Sequence, residues 1–179
     1  MGQTFPVSAL LVIDAQVGLL DGPDAVPGAA RAVRRIAEVL AAARRDSASV
    51  IHLQHDGVAG APDEPGTSGW RIHPLAAPLE TELVLRKHGD DGFEGTQLEE
   101  VLRDRRVRRL AVVGFLSEMC VSATIRGALA RELEVVLVRG AHATFDIDEI
   151  PASVVSRVAE HALGDKLEIC DVDEVRFSG

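Results

Sequence analysis

Short apolar runs without a polar interruption recur along this chain, and helical patterns stand between them. ALLVI (Ala9 to Ile13) ends at Asp14. VIHLQ covers Val50 to Gln54, and a third strand covers Leu83 to Arg86. RRLAVVGF supplies a fourth from Leu110 to Phe115, Val135 to Val138 a fifth, and Leu167 to Cys170 a short sixth. A strand that is apolar at every position needs cover on both faces, which is the situation of a parallel sheet between helical layers. The intervening helices read clearly. Gly28 to Arg45 places Ala29, Ala32, Val33, Ile36, Ala37, Leu40 and Ala41 on one face and arginines on the other. Gly95 to Arg105 opens with Thr96 and Glu99 at capping-box spacing. A helix follows Cys120, with Ser117 placed to cap it, and Pro151 to Leu163 forms another. Strict alternation of strand and helix predicts an α/β fold, a three-layer α/β/α sandwich, in one domain spanning 1–179.

Bulk properties exclude several functions. The chain carries 28 acidic against 19 basic residues, a formal charge of −9. That balance opposes binding to nucleic acid or anionic lipid. No apolar stretch reaches the ~18 residues of a membrane span. MGQTFPVSALLVID lacks a basic leader with a cleavage site, and MGQTFP lacks the acylation pattern. Two cysteines, Cys120 and Cys170, cannot build a disulfide framework or a zinc site alone, so a reduced, cytoplasmic protein is expected.

In open α/β sheets the ligand crevice lies beyond the carboxyl ends of the strands. Asp14 and Gln16 follow the first strand. Gln54, His55 and Asp56 follow the second, Lys87 and His88 the third, and GFLSEMC the fourth. Lys87 is one of two lysines beside 17 arginines, which suits use as a compact point charge. Cys120 opens a helix, where free N–H groups, the dipole and a nearby lysine favour thiolate. Against this stands the common role of free cysteine as a small buried hydrophobe, the reading adopted for Cys170. Asp14 could equally be a turn residue.

Residues 56–74 (DGVAGAPDEPGTSGWRIHP) form a long Gly/Pro loop of the kind that is functional or mobile. Trp70, the sole tryptophan, either covers the pocket mouth or is an exposed bystander. Phe93 and Phe145 could line the pocket or pack in the core. CVSATIR has the C-x5-R spacing of cysteine phosphatases, but VSATI has no glycine and reads as helix, carrying Arg126 roughly 9 Å along the axis from the thiol. The turn after the first strand is not a dinucleotide fingerprint. His52 and His55 point to opposite faces of their strand, and no metal is expected.

LLVIDAQ, LRKHGDDGFEGTQLEEVL, VVGFLSEMCVSAT and VVLVRGAHATFD together resemble the isochorismatase-like cysteine hydrolases, over roughly Ala9 to Asp146. The resemblance implies a six-stranded parallel sheet in the order 3-2-1-4-5-6. It implies a catalytic Asp14, Lys87 and Cys120, and a non-proline cis peptide between Phe115 and Leu116. The N–H groups of Leu116 and Cys120 would form an oxyanion hole. Gln16, His55, Trp70 and Phe145 are candidate substrate contacts. Gln54-His55-Asp56 replaces the Asp-x-His metal motif of the family's nicotinamidases. This points to the metal-free, cofactor-free small-amide hydrolases, including those resembling streptothricin hydrolase. The expected chemistry is cleavage of an amide-type C–N bond in a small molecule through a thioester, in a homo-oligomer (dimer or tetramer). Vinyl ether hydrolysis is the family's alternative chemistry. A catalytically silent binding subunit is the alternative from another class, disfavoured because all three reactive residues are present.

Overall fold

The structure, a computed structural model, describes residues 6–165 and 167–179. The readings of the extreme N-terminus rest largely on residues 1–5, and lie to that extent outside the described residues. Six strands form one parallel sheet: β1 (Ala9–Ile13), β2 (Ser49–His55), β3 (Leu83–Lys87), β4 (Arg109–Phe115), β5 (Glu134–Ala143) and β6 (Leu167–Cys170). Their order is β3-β2-β1-β4-β5-β6, as the resemblance implies. The direction of sheet growth reverses at β1, so the crevice opens beside β1 and β4.

Alternate side chains of the strands feed two cores. On one face Leu10, Val12, Val50, Ala111, Val113, Val136 and Val138 meet the apolar stripe of the helix Ala29–Arg45, which follows a short helix, α1 (Val17–Leu20), and is called α2. On the other, Leu11, Ile13, Ile51, Leu53, Leu85, Val112 and Leu137 meet Leu98 and Leu102 of α3 (Leu98–Asp104) and Ile125 and Ala128 of α4 (Ser122–Ala130). A fifth helix, α5 (Ala152–Ala162), packs on β5 and on the turn that precedes α4. Each face of the sheet is thus dry, which is why the strands read as unbroken apolar runs.

The expected capping box at Thr96 and the expected Ser117 cap are not formed. Thr96 Oγ1 accepts from Leu98 N–H (3.1 Å) and donates to Gly92 O (2.6 Å), while Glu99 pairs with Arg131 (2.7 Å), so no capping box closes. The tight GFEGT turn claims the threonine first. Ser117 turns its hydroxyl away from the helix it precedes, toward His142 Nδ1 (2.9 Å) and Ser156 Oγ (3.0 Å).

The C-terminal turn of α2 is fastened to the approach to β3. Arg44 donates through Nε and Nη2 to the two oxygens of Glu82 (2.7 and 2.8 Å), and Leu79 N–H and His52 Nε2 each lie 3.0 Å from Glu82 Oε2. Burial opposes ionisation of this carboxyl, but the Arg44, Leu79 and His52 hydrogen bonds outweigh it and hold it at about 2, below the ordinary 4.5. Such a depressed acid adds stability that is fully present above the unfolded-state value and is lost as pH falls through the folded one. Glu82→Gln is expected to cost about 2 kcal/mol near neutrality, the range for a charge-assisted bond. The gap to wild type should close as pH is lowered from 4.5 toward 2. Urea denaturation at pH 7 and at pH 3 measures both.

Candidate active site

β1 ends at Asp14, whose backbone takes a left-handed φ of 48°. A non-glycine residue there is strained by about 1–2 kcal/mol. The neighbouring β4 approaches closely: a Cβ on Gly114, at φ 133°, would lie 2.1 Å from the Ile13 carbonyl oxygen. Only glycine lets β4 lie this near the end of β1. The Phe115–Leu116 peptide that follows is cis. Then Ser117–Val121 forms a π-type turn, with Met119 out of helical geometry at φ −103°, ψ −105°, and α4 starts only at Ser122. Cys120 therefore lies in a kinked turn ahead of α4, and not in the helix's own first turn as the sequence suggested. Ser117, bonded to His142 and Ser156, pins the start of this turn to β5 and α5, and the Ser122 hydroxyl donates to Ser117 O (2.7 Å).

The Leu116 carbonyl accepts from Met119 N–H (3.2 Å) and Val121 N–H (3.1 Å) and passes over the N–H of Cys120 between them. Among the hydrogen bonds of the described residues, the N–H of Leu116 has no acceptor.

Lys87 ends β3, two strands away from β1, so its side chain must cross the end of β2 to reach the crevice. It does. The residue is 1% exposed, and Nζ lies 2.7 Å from Asp14 Oδ2 and 3.3 Å from Cys120 Sγ, with a third bond to Gly89 O (3.0 Å). Asp14, Lys87 and Cys120 are thereby gathered around one ammonium. The other carboxylate oxygen of Asp14, Oδ1, is buried without a hydrogen-bond partner.

The charge balance differs from the sequence expectation of a standing thiolate. Burial, then the Asp14 carboxylate, pushes the Cys120 thiol well above its ordinary 9.0, and Lys87 only partly opposes them. Burial also raises Asp14 above 3.8 against the pull of Lys87. For Lys87 burial works against the charge, but Asp14 and then Cys120 outweigh it and hold the ammonium. Lys87 and Asp14 make the ion pair, and the thiol beside them is pushed toward its neutral form. Burial of the sulfur is the largest cause, followed by the Asp14 carboxylate, and together they oppose the thiolate that a helix terminus and Lys87 favour.

An isochorismatase domain model matches residues 8–162. The chain belongs to the isochorismatase family. Two streptothricin hydrolases of Streptomyces noursei are each 50% identical to it, over 92% and 91% of this chain, which spans 68% and 62% of theirs. A crystal structure of an isochorismatase from Pseudomonas putida superposes with a TM-score of 0.90 at 32% identity, covering 97% of this chain and 94% of that one.

In this isochorismatase-family hydrolase the residues suggested as substrate contacts are largely occupied elsewhere. Gln16 is fully buried. Its Nε2 donates to His55 O (2.9 Å) and Trp70 O (3.0 Å), and its Oε1 accepts from His55 N–H (2.8 Å). Every hydrogen-bonding group of the amide except one lone pair is used to tie the turn after β1 to the end of β2 and to Trp70 in the 56–74 loop, so it does not present itself to a ligand. His55 has Nδ1 2.6 Å from Asp63 Oδ2 and Nε2 3.2 Å from His88 O. Nδ1 thus holds the 56–74 loop, and Nε2 the segment that follows β3. Trp70 donates from Nε1 to Asp56 Oδ1 (2.8 Å) and lies under the Arg86 guanidinium, 5.0 Å from the ring centroid. Arg86 in turn grips Asp56. Phe145 packs, half-buried, against the α2-side core, and Phe93 is buried in the opposite core beneath Arg131. The loop, expected to be functional or mobile, is tied down by polar bonds from Gln16, Gln54, His55 and Arg86. Among the described residues no three His, Cys, Asp or Glu gather as metal ligands do, and no helix is long and apolar enough to cross a membrane.

One contact escaped the sequence reading. Asp90 Oδ1 lies 3.4 Å from Cys120 Sγ, and Asp90 O receives the Thr124 hydroxyl at 3.4 Å. The only available signal was DD in LRKHGDDGFEGT, three residues after the lysine, in what looked like a polar turn.

Proposed function

We propose that the chain hydrolyses an amide-type C–N bond of a small molecule, with Cys120 as nucleophile, Asp14 as base and acid, and Lys87 as the charge that links them. The observation that carries this is the single ammonium within bonding distance of both a buried carboxylate and the thiol. The 50% identity to streptothricin hydrolases supports a C–N bond as the target.

Attack begins when Asp14 takes the S–H proton as sulfur bonds to the carbonyl carbon, so thiolate forms only as it is consumed. The raised carboxyl suits that task, since a base works best with a pKa near the operating pH. The carbonyl π electrons move onto oxygen. The unengaged N–H of Leu116 and the N–H of Cys120 receive that oxyanion; each such donor is worth about 10²–10³-fold in rate. Collapse expels the amine, which takes the proton from Asp14, and leaves a thioester. Water then gives a proton to Asp14 and attacks the thioester, and the sulfur leaves as the thiol by taking that proton back from Asp14. Lys87 keeps its proton throughout and offsets negative charge wherever it lies, first on Asp14 and then on sulfur. The proposal includes a cytoplasmic homo-oligomer acting on a small molecule, without metal or cofactor.

The test is a screen of small amides, ureides and carbamoyl compounds for released amine or ammonia, with acid-quenched mass spectrometry of the Cys120 peptide. The expected result is turnover with an acyl mass on Cys120. Full turnover after stoichiometric alkylation of that cysteine removes the proposal.

A further inference from the structure

Asp90 stands at the reacting sulfur with no cationic side chain to answer it. Its Oδ1 is 3.4 Å from Cys120 Sγ, and the residue is exposed, unlike Asp14 and Lys87 on the buried side. No ion pair of the described residues includes it. Lys87 is committed to Asp14, Gly89 O and the thiol. Asp91, next in sequence, turns its carboxylate to the N–H of Phe93 (3.0 Å). His88, exposed, lies toward Asp56 at 4.0 Å.

This arrangement has a cost for the reaction proposed above. When sulfur bonds to a carbonyl carbon, a full negative charge develops on the oxygen, one carbon beyond a sulfur that Asp90 already touches. Two negative charges so close repel, and part of the oxyanion stabilisation is lost. A substrate that brings its own positive charge to the Asp90 side reverses the sign of that interaction.

We infer that Asp90 is a specificity-determining residue that selects substrates with a cationic group, an ammonium or guanidinium, close to the scissile carbonyl, and disfavours anionic ones. This rests on amide cleavage at Cys120 for its biological meaning, but charge selection at the sulfur can be measured without turnover.

Three alkylating probes of different charge report it: 2-bromoethylammonium, iodoacetamide and iodoacetate. In each case an S–C bond forms, the carbon–halogen bond breaks, halide leaves with the electron pair and the thiol proton is lost. Rates are followed by mass spectrometry at the Cys120 peptide, which separates it from Cys170. The neutral probe corrects for any change in thiolate fraction. Relative to free cysteine, wild type is expected to favour the cationic over the anionic probe by on the order of tenfold at low salt, with the preference shrinking as salt is added. Asp90→Asn should abolish most of that preference. Equal cation-to-anion ratios in wild type and free cysteine, or an unchanged ratio in Asp90→Asn, overturn the inference. The second arm compares kcat/KM for a small amino amide and its deaminated neutral analogue. Asp90→Asn should lower the first about tenfold and leave the second unchanged or faster. An equal loss on both would show a merely structural role. Absence of amine release from every amide, with charge-selective alkylation intact, would remove the cleavage proposal and leave the charge selection standing.

Discussion

Replacing Cys120 with serine is expected to lower kcat/KM for amine release by about 10³-fold or more, with little change in stability. Residues that act as one catalytic unit lose most of its benefit when the nucleophile alone is removed. A hydroxyl is a far weaker acid than a thiol, and Asp14, even raised by burial, is too weak a base to deprotonate it appreciably. The serine oxygen also reaches less far than sulfur, so the approach set by the kinked turn at Met119 no longer brings it to the carbonyl carbon. Steady-state kinetics on the best amide from the screen, beside a melting curve for each protein, makes the comparison. Turnover within a few-fold of wild type would show that sulfur is not the attacking atom.

Asp14→Asn should move two readouts in opposite directions. Hydrolysis should fall by about 10²–10⁴-fold, the range for a lost general acid–base. Alkylation of Cys120 by iodoacetamide near pH 7.5 should instead become faster and begin at lower pH. The sign follows from the charges around the sulfur. The Asp14 carboxylate raises the thiol and Lys87 lowers it. Removing the carboxylate leaves Lys87 with the sulfur as its remaining buried acidic partner, so the thiol ionises more readily. In wild type the acid limb of the kcat/KM profile should lie above the ordinary carboxyl value of 3.8, because activity is lost as pH falls through the raised Asp14 value. A variant in which hydrolysis and alkylation fall together would mean that Asp14 only supports the fold.

The strands were legible because both faces of the sheet are covered: an apolar run such as ALLVI has no other economical use. β5 extends five residues beyond its apolar stretch, through Arg139 to Ala143, because the ladder with β4 is irregular between Val112 and Gly114 and resumes at His142. No local pattern encodes such a slip. Asp14, Lys87 and Cys120 were identifiable as strand-end residues, and the family resemblance assigned their roles. Their charge state was not, since it depends on which group lies against which after folding. Gln16, His55 and Trp70 looked like ligand contacts for a related reason. Polar residues near a crevice read alike whether they face a ligand or hold the chain, and only the folded structure shows that His55 N–H, Trp70 O, Asp63 and Asp56 engage these three. Thr96 and Ser117 had the spacing of caps, but the Thr96 hydroxyl donates to Gly92 O in its own turn, Glu99 pairs with Arg131, and the Ser117 hydroxyl meets the distant His142.

β3 is the rim of the sheet, hydrogen-bonded to a neighbour on one side only. It nevertheless carries Lys87, whose ammonium holds the two groups at the middle of the sheet in register. Rim strands are among the first parts of a fold to open. The proposed catalytic centre should therefore act as a fuse: in mild urea turnover should go silent while the far-ultraviolet ellipticity is still that of the intact sandwich.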